Sequence, residues 1–174
     1  MSDLNPFQLN RWIADNGEKL KPPLGAETLW KDMDLMVTIV GGPNKRTDFH
    51  IDPFEEFFFQ IEGDFTLRIQ EDGRARDVIV REGDVFMLPP YVPHAPMRPA
   101  GTVGLIAERK RHADDPADAF AWYCEACNHQ LFRKEAFIDI LERDMPPVFE
   151  AYYGDASNQI CDACGHENPG RPGD

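Results

Sequence analysis

With 174 residues, 42% of them hydrophobic and twelve of them Phe, the chain has apolar material for one substantial domain and a small appendage, which excludes disorder. Its formal charge of −13 repels nucleic acid and anionic membrane surfaces, and no stretch approaches the roughly eighteen apolar residues of a membrane span. The N-terminus carries neither a basic segment nor an apolar one of the secretory kind, so the expected location is the cytoplasm. The charge is uneven: residues 112–174 hold −9 and residues 1–111 hold −4. Two parts are therefore expected, a main domain with an N-terminal helix over 1–111 and a C-terminal extension over 112–174.

In chain order, Asn5-Pro6 predicts an N-cap with proline at the first helical position, opening a short helix that ends at Gly17. Lys21-Pro22-Pro23 and Gly25 predict an extended loop. Residues 35–40 form a strand, broken by Gly41-Gly42-Pro43. Residues 57–61, 65–70, 75–80 and 85–88 are strand-sized runs, separated by turns containing Gly63, Asp72-Gly73 and Gly83-Asp84. Another strand covers 102–107. Helix-length runs are absent here, which disfavours a parallel sheet. The pattern predicts an all-β antiparallel double-stranded β-helix, the jelly-roll barrel of the cupins, with short flanking helices. Beyond a loose charged connection at 112–116, a short strand is expected at 130–133. One or two short helices are expected between Glu135 and Tyr153, with Asp144-Met145-Pro146-Pro147 between them.

Chemistry concentrates at two places. Gly42, His50, Glu56 and Gly63 stand in the order and at the spacing of the first cupin motif. Gly83, Pro89 and His94 match the second, with Tyr91 where that motif usually has glycine. Two imidazoles and one carboxylate make a 2-His-1-carboxylate face for a non-haem Fe(II), with positions left for substrate and dioxygen. Glu56 is preferred to Glu55 on spacing, since neighbours on a strand face opposite ways. Asp48 stands where a further histidine often supplies a fourth ligand, which favours the three-residue face.

The second place holds all four cysteines, as Cys124, Cys127, Cys161 and Cys164. Two CxxC pairs offer four soft thiolates suited to tetrahedral zinc or rubredoxin-like iron, and cytoplasmic placement argues against disulfides. His129 and His166 then belong to the metal knuckles without being ligands. A metal here closes the 33 residues between the inner cysteines into a loop, so its role is structural.

Over nearly its whole length the chain resembles the bacterial 3-hydroxyanthranilate 3,4-dioxygenase family. The resemblance rests on LKPP, VTIVGGPNKRTDFH, DPFEEFFFQIEGD, EGDVFMLPPYVPHAP and the two CxxC pairs. It implies a homodimeric cupin enzyme that uses Fe(II) and O₂, and no organic cofactor, to open the ring of 3-hydroxyanthranilate. The product is 2-amino-3-carboxymuconate semialdehyde, the quinolinate precursor. It makes His50, Glu56 and His94 the iron ligands, with Glu56 also bordering the substrate. Arg46 becomes the arginine near dioxygen and substrate, and Arg98 the holder of the substrate carboxylate. Glu108 becomes the acid on the hydroxyl and amino side, and Asp48 a supporting partner. It also favours iron at the four-cysteine site. Ala26 departs from the family, whose bacterial members often have asparagine there. The alternatives are a cupin dioxygenase for a related ortho-aminophenol and a non-enzymatic metal-binding or sensor protein.

Overall fold

The computed structural model describes residues 5–22 and 25–171; Met1 to Leu4, part of the stretch read for a secretory signal, and Pro23 of the expected loop lie outside the described residues. Eleven strands are described: β1 (Ala26–Thr28), β2 (Leu35–Gly41), β3 (Phe49–Ile51), β4 (Glu56–Glu62), β5 (Phe65–Glu71), β6 (Arg74–Val80), β7 (Val85–Leu88), β8 (His94–Met97), β9 (Val103–Arg109), β10 (Asp118–Tyr123) and β11 (Gln130–Ala136). One sheet runs β1-β2-β9-β4-β7 and the other β11-β10-β3-β8-β5-β6, with every neighbouring pair antiparallel. From β2 to β10 the chain changes sheet at every connection except β5–β6, which is the jelly-roll expected from the sequence.

Alternation within strands builds the barrel interior. On β4, Glu56, Phe58 and Gln60 are buried while Phe57, Phe59 and Ile61 face outward and are only half-buried. Phe58 packs with Phe65, Leu67, Ile69, Val80 and Leu88 as the main core, each side chain contributing about 1.5–3 kcal/mol on burial. The β5–β6 turn is a two-residue Asp72-Gly73 loop with φ of 51° and 74°, the left-handed pair that matches strand twist.

Two helical expectations are corrected. Helix α1 spans Leu9–Asp15 with Gln8 as N-cap, so it starts later than an Asn5 cap would place it. Its register follows the docking of Leu9, Trp12 and Ile13 on Ile39 and Val103, which outweighs the local capping signal. The C-terminal helix α2 is one element, Leu141–Tyr153, running through Pro146 and Pro147. Each proline removes an i→i−4 bond, but Val148 and Tyr152 are buried against Phe120 and Trp122, and that packing holds the helix together. Trp122 and Tyr152 stack with centroids 4.4 Å apart.

Strands β1, β3, β8 and β10 were not read from sequence. β3 and β8 have three and four residues, and β8 contains Pro96, a residue that ordinarily argues against a strand. The strand expected at 130–133 extends to Ala136.

Candidate active site

Strand pairing brings the distant motifs together. His50 on β3 lies directly opposite His94 on β8, and Glu56 on β4 lies opposite Glu108 on β9. His50, Glu56 and His94 offer ligand atoms all within 4.8 Å of one another. Glu55 is exposed while Glu56 is 4% exposed.

Each imidazole has one nitrogen committed elsewhere. His94 Nδ1 donates to the Val92 carbonyl at 3.0 Å, so in the neutral ring Nε2 carries a lone pair, 2.9 Å from Glu56 Oε1. Among the described residues, buried Glu56 Oε1 makes no hydrogen bond of good geometry. His50 Nε2 lies 2.7 Å from Asp118 Oδ1, and its Nδ1 lies 3.6 Å from Glu56 Oε1. A buried orphan carboxylate oxygen facing two ring nitrogens is a donor set that fits a divalent cation. Burial opposes ionisation of Glu56, but His94, His50 and Arg46 outweigh it and hold its carboxyl down to about 2. For His94, burial favours the neutral ring, but Glu56 prevails and raises its pKa.

Around this face stand Arg46, Asp48 and Glu108. Arg46 makes a two-point contact with fully buried Asp48: Nε donates to Oδ1 at 3.2 Å, and Nη2 pairs with Oδ2. Burial lowers the Arg46 pKa, but Asp48 prevails and raises it. Glu108 shares a carboxylate cluster with Glu56 and Asp52, all within 4.8 Å. Burial, then Glu56 and Asp52, push its carboxyl well above the usual range.

Arg98 is 4% exposed. It donates to Gln60 Oε1 at 3.0 Å and lies 4.1 Å over the Phe65 ring. No described carboxylate pairs with it, and burial lowers its pKa to about 10, so it stays charged at neutral pH. Its backbone is fixed by Asn44, which accepts from the Arg98 amide at 2.8 Å and donates to the Pro96 carbonyl at 2.7 Å. Gly104 makes the space: a Cβ there would fall 2.7 Å from Gln60 Oε1 and 2.8 Å from Arg98 Nη1. Ala26 sits in edge strand β1 opposite Val40 and brings no polar side chain.

Sequence reasoning missed Asp52, Arg111 and Asp118. Arg111, 7% exposed, bonds Asp118 at 2.8 and 3.1 Å, pairs with Asp52, and lies 3.6 Å from Glu108. It sits at the end of the charged run Glu108-Arg109-Lys110-Arg111 and reads as surface. Asp118 gave one signal, an acid heading the apolar run at 119–123.

The four cysteines converge as expected. Cys124 and Cys164 sulfurs are 3.6 Å apart, as are those of Cys127 and Cys161. The two knuckles match: Cys124 N donates to His129 O and Cys161 N to His166 O, at 2.7 and 2.8 Å. Burial raises the Cys124 pKa, but the amides of Cys127 and Ala126 outweigh it and bring the thiol down to about 6. The His129 amide lowers Cys127, yet contacts with the neighbouring sulfurs and burial push it up to about 12. Four such sulfurs ionise together only around a cation, so the set fits a metal.

Fold and site together define the class: a cupin whose barrel presents two imidazoles and a carboxylate at one interior point. The chain belongs to the 3-hydroxyanthranilic acid dioxygenase family, which it matches over residues 1–153. It is 46% identical to the 3-hydroxyanthranilate 3,4-dioxygenase of Shewanella woodyi, covering 98% of this chain and 90% of that one. It is 48% identical to the enzyme of that name from Paraburkholderia phytofirmans, covering 95% of each. A crystal structure of a Neisseria meningitidis protein is similar in fold alone, with a TM-score of 0.50 and 17% identity, over 60% of this chain and 99% of that one.

Proposed function

We propose that this protein is a 3-hydroxyanthranilate 3,4-dioxygenase. His50, Glu56 and His94 hold Fe(II), and both oxygen atoms of O₂ enter the product as the ring opens between C3 and C4. One observation carries the substrate claim: among the described residues the buried guanidinium of Arg98 has no carboxylate partner, in a chain whose charge of −13 works against anions at long range. A planar carboxylate matches its fork.

When bound, Fe(II) supplies the unpaired electrons that let triplet dioxygen react with a closed-shell ring. The protein's own residues do the rest. Arg98 holds the carboxylate and so sets the orientation of the ring. Glu108, its basicity raised by burial and neighbouring acids, accepts the proton from the ring hydroxyl or amino group, which enriches the ring in electrons. Arg46, aimed by Asp48, stabilises negative charge developing on reduced oxygen.

Iron at the cysteine site is the reading that family membership favours; tetrathiolate chemistry accepts zinc equally. The 1–111 part carries the reacting residues and the 112–174 part the cysteines, while β10 from the second part is an inner strand of the barrel sheet. We place the protein in the cytoplasm, where thiolates stay reduced; among the described residues no helix is long and apolar enough to cross a membrane. The assembly is a homodimer.

The test is Fe(II)-loaded protein with 3-hydroxyanthranilate and O₂. The expected result is one O₂ consumed per substrate, with the ring-opened semialdehyde formed. Turnover of 2-aminophenol but not of 3-hydroxyanthranilate would move the assignment to a related ortho-aminophenol, and absence of both to a binding protein.

A further inference from the structure

We propose that Asp118 is a positioning residue of the catalytic centre, holding the His50 imidazole so that Nδ1 is the nitrogen presented to Glu56 and His94. The inference rests on the reading of His50 as a ligand and adds which nitrogen binds and what holds the ring. An imidazole on a Cβ has two free torsions, and a metal ligand must be fixed in both. Metal-binding histidines are fixed when their second nitrogen donates to a carboxylate.

Asp118 meets that requirement. Its Oδ1 lies 2.7 Å from His50 Nε2, and an ionised carboxylate only accepts, so Nε2 carries the proton and Nδ1 the lone pair. The carboxylate cannot drift, because it is 1% exposed and Arg111 grips it through Nη2 at 2.8 Å and Nε at 3.1 Å. Arg111 is anchored in turn by Asp52 and by the Arg109 carbonyl at 2.5 Å.

The strand carrying Asp118 adds two further restraints from the same face. Phe120, directly opposite His50 in register, stacks on its ring with centroids 5.1 Å apart and an interplanar angle of 18°. His50 is thus held at its edge by Asp118 and on its face by Phe120. Trp122, two residues on, donates through Nε1 to Thr47 Oγ1 at 3.2 Å, beside Arg46 and Asp48. The chain then reaches Cys124, 2% exposed, the first thiolate of the four-cysteine site. The strand that touches His50 through Asp118 and Phe120 therefore leads directly to the cysteine site.

The experiment titrates Co(II) into protein whose barrel metal has been stripped with the cysteine-site metal retained. Wild type, Asp118→Ala, Asp118→Asn and His50→Ala are compared by affinity, cobalt d–d spectrum and thermal midpoint. Asp118→Ala is expected to weaken the barrel site about 10–100-fold and alter its spectrum, with cysteine-site metal unchanged. Asp118→Asn, whose amide oxygen can still accept from Nε2–H, should lose less. A lowered midpoint with unchanged Co(II) affinity and spectrum would leave Asp118 a merely structural counter-ion of Arg111 and overturn the proposal. If His50→Ala also leaves Co(II) binding intact, the ligand reading itself fails, a separate outcome. Should the variants not fold, ¹⁵N-histidine spectra of Zn(II)-loaded wild type decide: His50 protonated on Nε2 supports the proposal, and protonation on Nδ1 refutes it.

Discussion

Arg98 is where one side chain bears most directly on substrate choice. It is buried, charged, and faced by an amide and a phenyl ring rather than by an acid. Removing it as Arg98→Ala should leave the barrel metal in place and weaken anaerobic binding of 3-hydroxyanthranilate about tenfold to a hundredfold, the worth of one charge-assisted hydrogen bond. Binding of 2-aminophenol, which lacks the carboxylate, should barely change. Equal losses for both compounds would make Arg98 a structural residue. Motif order and spacing already pointed to His50, Glu56 and His94, while Arg98 stood out only through the family resemblance. They did not reveal Asp118, Asp52 or Arg111, because an isolated acid or a charged run resembles solvated surface until register shows what it faces. Tyr91 shows the reverse: the sequence departs from glycine, yet Tyr91 keeps a left-handed φ of 62° with its amide donating to the Asp52 carbonyl at 2.7 Å. The turn before His94 thus takes, at a tyrosine, a left-handed backbone conformation that L side chains rarely adopt.

Among the elements, β10 bears the most. Its residues Asp118, Phe120 and Trp122 share one face, and Trp122 also anchors α2 through the stack on Tyr152. Trp122→Ala should destabilise the protein by about 3–5 kcal/mol, read as a shift in denaturant midpoint, because α2 loses the surface that compensates for its two prolines. A loss below about 1 kcal/mol would mean that α2 is held elsewhere. Most strands were legible from apolar runs bounded by Gly-containing turns, four-residue β7 among them. Strands β1, β3 and β8 were not, since three or four residues give too few alternations to register, and β3 and β8 spend theirs on His50 and His94. Strand β10 was missed for another reason: it is buried along nearly its whole length and so shows no alternation. For α2 the prolines argued for a break, and tertiary packing overrode them.

At the scale of the whole molecule, charge and apolar surface select the partner. On the β1-β2-β9-β4-β7 sheet, register aligns Val37 with Ala107, Ala107 with Phe57, Phe57 with Met87, and Phe59 with Val85, so these side chains form one outward face. Helix α1 covers only the neighbouring patch of Ile39, Val103, Leu105 and Ile61. On edge strand β7 of that sheet, Val85 and Met87 are 63% and 57% exposed and extend the apolar face to the sheet's rim. Two copies that each carry −13 repel at long range, so they meet most readily where the surface holds no charge. A second copy packed sheet to sheet fits that face, which is the interface we expect for the proposed homodimer. Sedimentation should give twice the chain mass for wild type, and Met87→Glu or Val85→Glu should shift it to the monomer with secondary structure and cysteine-site metal intact. Salt supplies a second reading with a definite sign. Screening the mutual repulsion should tighten an apolar interface between like-charged copies, whereas an interface built on ion pairs would loosen. A wild-type monomer, or a dimer that both glutamate variants leave untouched, would take the assembly off this face.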